Sequence, residues 1–513
     1  MSMNYLVVDE TLLPELVQTE RLKTPSELLT LEEYLNELRY MPTEELPEMG
    51  AVGAIVVEKM NQHYSKVMMG GKFRIADNST GELYFYEKGA FKDYNADLIA
   101  YGIIKGERKH ASVVDLFMKS AEAKKFAEVT FNPAFVGDYG RVKNLFVGFP
   151  QTPVKGEAIA LSEICDGLDY EIFHAQIKER YPACLRLIEH LHDNVADGNV
   201  LAFAQLLAWC SEIITQPEIN PGFCVILRGT ERGTGKTTIS DVMREVLGER
   251  YHFKASKSEQ ITGRFNSHMK DKLLIVGEEM SWGGNRDLSA QLKDMITGHT
   301  HAVELKGVDI QQMPKYYRMM LVTNEDWVFN AAKDERRALI FDVNPAQAQN
   351  KEYFEPLYAS ERKLKPELIE QFRNMLASMD TTGIDMMKPV QTDGLRSQIA
   401  ESLNPMEQWW VSVIDNGEFG DESMFRRATK LEGRISKEFV HKQYLAWLDK
   451  HKPNSSERIT NSRAFGRRFV NMVGKQFVRT DQKVKAEDDK LVNAYDFHRL
   501  GEMIETNMKA FGV

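Results

Sequence analysis

The segment Cys224-Val-Ile-Leu-Arg-Gly-Thr-Glu-Arg-Gly-Thr-Gly-Lys-Thr-Thr238 restricts the possible fold more than any other part of the chain. Its apolar start predicts a buried strand and its glycines a tight turn. Ile239, Val242, Met243, Val246 and Leu247 then predict an amphipathic helix. A strand, a glycine-rich loop and a helix in that order can cradle the phosphates of a nucleoside triphosphate. Gly233 and Gly235 let successive N–H groups turn toward one anion, and the helix N-terminus adds partial positive charge. Lys236 reaches the β and γ phosphates, and the Thr237 hydroxyl can sit on Mg²⁺. Thr234 and Thr238 complete the residues assigned to ATP. The usual spacing puts a glycine where this chain has Thr230, while Gly229 lies one position earlier, so the loop reads as one residue longer at its start. The competing reading is a chance glycine-rich turn before a core helix.

At 513 residues the chain can hold several domains. Its hydrophobic fraction of 43% and charged fraction of 27% are those of an ordinary water-soluble protein. No apolar run reaches the length of a membrane span, and Met1 to Glu10 lacks a basic start, so neither secretion nor membrane insertion is expected. A cytoplasmic location follows as the expectation. Cys165, Cys184, Cys210 and Cys224 form no Cys-x-x-Cys pair and read as buried, reduced thiols. The net charge of −10 argues against general coating of nucleic acid. Between Arg426 and Lys483, however, 15 Lys and Arg face 5 Asp and Glu, which makes a local nucleic-acid footprint plausible.

The chain reads as a multidomain α/β protein. Residues 1–160 form a mixed module of unknown role. It has a helix from Gly50 to Tyr64, a hairpin of 67–75 with 83–86 around the turn 77–81, and a helix over 109–127. Residues 161–217 are a helical block. Residues 218–380 alternate strand and helix, the pattern of a parallel sheet covered by helices. A linker at 381–395 leads to a basic C-terminal module over 396–513. That module has helices at 435–448, with Ser436 as cap, and at 462–472, followed by a strand pair near 475–485. Tyr444, Trp447, Phe465 and Phe469 read as its core.

Other residues narrow the chemistry. The apolar run Lys272-Leu-Leu-Ile-Val-Gly-Glu-Glu279 delivers two carboxylates at a strand's C-terminal end, where open α/β sheets bind ligands. Glu278 suits Mg²⁺, and Glu279 suits deprotonation of an attacking water. Arg318-Met-Met-Leu-Val-Thr-Asn324 ends in an amide that can sense phosphate without adding negative charge; an Asn capping the next turn is the alternative. Arg336 or Arg337 can stabilise charge on a transferring phosphoryl group, supplied in trans, or pair with Asp334 or Glu335. Lys306, at a hairpin tip, can follow a nucleic-acid backbone or be a solvated surface residue.

In this order, the pieces resemble the superfamily 3 helicases of phages, plasmids and small DNA viruses. The likeness covers about 161–345 and is nearest to the helicase portion of phage and plasmid primase-helicases. It includes Lys143-Asn-Leu-Phe-Val-Gly-Phe149 and Gln216-Pro217. The resemblance implies an AAA+-like phosphate-loop ATPase domain preceded by an oligomerising helical block, in hexameric rings with ATP at subunit interfaces. It implies catalytic roles for Lys236, Thr237, Glu278, Glu279, Asn324 and one of Arg336 and Arg337, with Lys306 on DNA. A C-terminal winged helix also occurs behind many of these helicases, and would set Arg463, Arg467 and Arg468 against phosphates. No primase-type metal motif occurs in 1–160, so a separate primase or polymerase is an expected partner, beside single-stranded or forked DNA. Two other classes compete: a replication initiator using ATP only as an assembly switch, and an ATPase that remodels protein.

Overall fold

The computed structural model describes residues 29–79, 83–263, 266–280, 286–304, 311–328, 330–360, 363–419, 429–453, 455, 457–485 and 490–512. The chain splits into two compact units, one of residues 1–130 with 138–145 and the other of residues 131–137 with 146–513.

The first unit is a mixed α/β module. Its helix Met49–His63 buries Val52, Val56, Val57 and Met60 against Tyr34, Leu38, Ile75, Val113 and Phe117. The expected pairing with 83–86 is present, and a further turn divides the first arm of the hairpin. Strand Tyr64–Met69 turns at Gly70-Gly71, both at positive φ, and pairs antiparallel with Lys72–Asp77, which pairs in turn with Tyr84–Tyr86. Two adjacent glycines fit the type of turn that matches strand twist, so the run expected as one strand over 67–75 is two paired strands. The helix expected over 109–127 is shorter, at Val113–Lys119. Residues Glu107–Ser112 before it are a strand paired with Ile99–Ile104 through a turn at Lys105 and Gly106, both at positive φ.

The second unit begins with the helical block. It contains α1 (Gly167–Arg180), a short helix Leu185–Glu189 running into a π-helical turn His190–Val195, and α2 (Val200–Thr215). A parallel five-stranded sheet follows, built from β1 (Cys224–Arg228), β2 (His252–Ala255), β3 (Leu274–Glu278), β4 (Arg318–Thr323) and β5 (Ala338–Asp342), in the order β2-β3-β4-β1-β5. Every residue of β1 and β4 is buried, as expected for central strands covered on both faces. Helix α3 (Thr238–Leu247) lays Ile239, Val242, Met243, Val246 and Leu247 into the core, at about 1.5–3 kcal/mol per side chain. Gly248 ends it at φ 85°.

One polar tie crosses this core. Arg318, at the start of β4, is 2% exposed and donates to the carbonyls of Trp209 (2.8 Å) and Ile219 (3.0 Å) and to Glu212 (3.2 Å), fixing α2 to the sheet. Burial pulls its guanidinium down to about 10, with Glu212 opposing the shift. Of the cysteines, Cys184, Cys210 and Cys224 are buried; Cys165 is exposed, against expectation, because its loop before α1 leaves it at the surface. Among the described residues no helix is long and apolar enough to cross a membrane.

The C-terminal part runs α4 (Pro405–Asn416), β6 (Gly433–Ser436), α5 (Lys437–His451), α6 (Ser462–Val473), β7 (Val478–Lys485) and β8 (Leu491–Phe497). Its sheet has the antiparallel order β6-β8-β7. Ser436 caps α5 through the N–H of Phe439, as expected, while Ile435 belongs to the preceding strand and not to the helix. Trp409, Trp410, Tyr444, Phe465 and Phe469 fill one aromatic core. The second member of the expected strand pair lies further on, at 491–497.

Candidate active site

Strands β1, β3 and β4 are parallel, so their C-terminal ends open on one edge of the sheet. A cleft of about 240 Å³ lies there, lined by Arg232, Gly233, Thr234, Gly235, Lys236, Thr237, Glu278, Glu279, Val322, Thr323 and Asn324. Residues from three separated stretches of sequence thus share one space.

Several carbonyls of loop 229–237 are engaged within the protein. The Lys236 ammonium donates to the carbonyls of Gly229 (2.7 Å) and Glu231 (2.6 Å). The N–H of Gln349 donates to Gly233 (2.9 Å), and Gly235 accepts from the N–H of Thr238 (3.0 Å). Gly233 and Gly235 adopt φ of 73° and 80°, where only glycine is unstrained. With the carbonyls engaged, among the described residues none of the backbone N–H groups from Thr230 to Thr237 donates to another protein group. The Thr234 hydroxyl, on a residue 1% exposed, has no partner either. Thr230 to Gly233 are exposed, whereas Thr234 and Lys236 are buried, and unpaired donors at that buried end of a glycine turn fit an anion cradle. Gly229 is explained too: a Cβ there would sit 3.2 Å from the Val343 carbonyl and 3.7 Å from the Lys236 ammonium. Burial holds Lys236 below the usual lysine range.

Thr237 stands at the N-cap of α3 without using its side chain as a cap, which leaves the hydroxyl open toward the cleft. Thr238 is buried in the first turn and does not line the cleft. Glu278 ends β3 and is paired with Lys254 on β2 at 2.6 Å. Glu279, exposed, follows at φ 51°, a left-handed conformation costing a non-glycine residue about 1–2 kcal/mol, and its N–H is tied to the Val322 carbonyl at 2.8 Å. The side-chain Oδ1 of Asn324 is buried without a partner. Among the described residues no cluster of three or more His, Cys, Asp or Glu could hold a metal by itself. A hydroxyl and one or two carboxylates beside an anion cradle instead fit Mg²⁺, which takes few protein ligands and completes its shell with phosphate and water.

Other expected site residues lie elsewhere. Arg336 and Arg337 precede β5, whose Ala338 stands opposite Cys224, so they occupy the sheet edge opposite the loop. Arg337 bonds Glu335 (3.2 Å), which is fully buried and also held by Lys293 (3.0 Å). Arg336 is exposed and has no ion pair among the described residues. Lys306 lies outside the described residues. In the C-terminal part a separate groove of about 1190 Å³ includes Lys437, Arg463, Arg467, Lys475 and Lys483 in its lining, with Glu438 as its one acidic side chain. Arg463 and Arg467 are four residues apart and share a face of α6; Arg468 is turned toward Glu457 at 3.9 Å.

Three contributors had not been singled out in the sequence. Lys254 neutralises Glu278 from a neighbouring strand. Arg228 is clamped by Asp342 on β5 and also donates to the Asp326 carbonyl, next to the Asn324 turn. His190, from the helical block, touches the phosphate loop. Only Arg228 left a trace in sequence, as a charge ending an apolar strand.

Residues 227–337 match a family model described as a family of unknown function, DUF5906. No curated protein matches the chain. Among solved structures it is similar to the apo structure of the NrS-1 C terminal region, at 16% identity and a TM-score of 0.50, over 85% of this chain and 97% of that one. A second, A form apo structure of that region gives 15% identity and a TM-score of 0.51 over the same shares. A JCV helicase with a bound small molecule matches 56% of this chain and 68% of that one, at 13% identity and a TM-score of 0.24, too loose to carry an argument. At such identities the NrS-1 likeness establishes a shared fold and nothing about activity.

Proposed function

We propose that the chain is an ATP-driven DNA helicase of the superfamily 3 type, a ring-forming motor for replication of a phage or other mobile element. One observation carries the reading: residues 232–237, whose N–H groups are idle, line the same cleft as Glu278, Glu279 and Asn324. A loop that only shaped a turn would need neither the idle donors nor the two carboxylates.

In the proposed reaction the loop's N–H groups and the Lys236 ammonium bind the phosphates of ATP. Glu279 accepts a proton from water as the water oxygen bonds to the γ phosphorus, and the bond to the bridging oxygen breaks to leave ADP. Asn324 orients that water. Thr237 and Glu278 would hold Mg²⁺, which when bound neutralises phosphate charge. Arg336 is assigned as the finger from a neighbouring subunit, since Arg337 is already engaged by Glu335. The order of α4, β6, α5, α6 and the β7–β8 hairpin supports a winged-helix reading of the C-terminal module. Its basic groove suits a phosphodiester backbone, through Arg463 and Arg467 rather than Arg468.

The test is ATP hydrolysis by the purified protein with and without single-stranded DNA, beside unwinding of a forked duplex and a Lys236→Ala control. DNA-stimulated hydrolysis with unwinding, both lost in the control, is expected. Hydrolysis indifferent to DNA and without unwinding would replace the motor with an assembly switch.

A further inference from the structure

The helical block carries no residue with an assigned role, yet its π-helical turn packs against the phosphate loop. The His190 side chain is fully buried, and its Nε2 lies 3.3 Å from the carbonyl of Gly235. A carbonyl can only accept, so Nε2 bears the hydrogen. The approach is close: a Cβ on Gly235 would fall 2.6 Å from that nitrogen and 2.7 Å from Phe354. The far side of the turn is tied to the segment after β5. The N–H of Asn344 donates to the Asn194 carbonyl (2.8 Å), and the Tyr353 hydroxyl donates to the Asn194 side chain (3.1 Å). Tyr353 and Phe354 pack edge-on against the His190 ring. The same segment supplies Gln349, itself at φ 57°, whose N–H holds the Gly233 carbonyl. The two left-handed glycines of the loop are therefore held from behind by donors lying on either side of it in sequence, one upstream and one downstream.

We propose that His190 is a positioning residue for the phosphate loop: by holding the Gly235 carbonyl it keeps the N–H of Lys236, in the same peptide unit, aimed at the phosphates before any ligand arrives. Each peptide is rigid and planar, so fixing the direction of a carbonyl fixes that of the N–H in the same unit. Hydrogen bonding to the π-turn locks the register of the histidine. Such turns, with one residue more than an α turn, recur at functional sites. The proposal rests on the nucleotide-binding reading above and extends it to a residue outside the loop.

The experiment is calorimetric titration of the full chain with ADP and, separately, with pyrophosphate, which probes the loop without the base. His190→Leu removes the donor at similar volume and is expected to weaken both ligands about tenfold, the cost of one lost hydrogen bond. His190→Gln retains an N–H donor and is expected to stay within about threefold of the wild type. Should the leucine variant fail to fold, His190→Asn, too short to reach Gly235, takes its place. Equal binding by all variants would overturn the proposal, as would equal weakening of the donor-keeping and donor-lacking variants, which would mean that the side chain only fills space. A wild-type protein that binds neither ADP nor pyrophosphate would overturn the nucleotide reading itself, and this proposal with it.

Discussion

Arg336→Ala offers the sharpest test of the proposed action between subunits, because the sheet fixes how far that arginine stands from its own phosphate loop. Strands β1 and β5 are parallel, with Cys224 opposite Ala338 and Arg228 opposite Asp342. Arg336 precedes that register and the loop follows it, so at 3.3 Å per residue roughly 20 Å of strand separate them. Across ~20 Å of water-like medium a unit charge pair is worth about 0.2 kcal/mol, less than a twofold effect on rate. An arginine in contact with the transferring phosphoryl group is worth ~10³-fold or more. If Arg336 serves a neighbour's site, Arg336→Ala should lose turnover on that larger scale while each subunit still binds ATP. Arg337→Ala, whose side chain is already held by Glu335, should lose far less. The assay is ATP hydrolysis by Arg336→Ala and Lys236→Ala subunits, alone and co-assembled in equal amounts. Each variant alone should be inactive. In a random mixture about a quarter of interfaces combine an intact loop with an intact finger, so about a quarter of wild-type turnover should return. A mixture as inactive as its components would refute action in trans, and normal turnover by Arg336→Ala would remove it from the reaction.

Three further outcomes are expected. Glu279→Gln should keep ATP affinity by calorimetry and lose ~10²–10⁴-fold in turnover, whereas Glu279→Gly, freed of its left-handed strain, should be as inactive yet melt no lower than the wild type. Glu212→Ala leaves the Arg318 guanidinium buried and short of its counter-ion, and should cost about 3–5 kcal/mol in urea unfolding of the second unit; joint replacement of Glu212 by Leu and Arg318 by Met should recover most of that. Arg463→Ala and Arg467→Ala should each lower the slope of log affinity against log salt for DNA by about 0.7–0.9, while Arg468→Ala changes it little, as read by fluorescence anisotropy.

The sequence was most informative where one short segment held both the structural and the chemical signal. Apolar runs ending in polar groups marked β1, β3 and β4, and with them Lys236, Glu278, Glu279 and Asn324. It was least informative where the deciding contact came from a distant segment. Lys254 reaches Glu278 only because β2 pairs with β3, and nothing near Lys254 in sequence announces a carboxylate. His190 meets Gly235 across a gap that no periodicity spans. Local errors have local causes: the helical spacing of Val113, Val114 and Phe117 extended a helix back into Glu107–Ser112, which pairing with Ile99–Ile104 makes a strand. The Gly70-Gly71 turn was legible in principle and was passed over for the longer polar stretch after it.

The wall behind the phosphate loop bears on what could be cut from this protein and still hold phosphate. The family match spans 227–337, which contains the loop, both carboxylates, Asn324 and the arginine pair, but neither His190 nor Gln349. A fragment trimmed to that span would keep every residue of the motif and lose the donors that hold the Gly233 and Gly235 carbonyls. Grafting the span into another sheet would carry over the signature without its rigidity. On the proposed reading, the unit that would bind phosphate reaches from the helical block to the segment beyond the last strand, and a change in that arc should register as a change in nucleotide affinity.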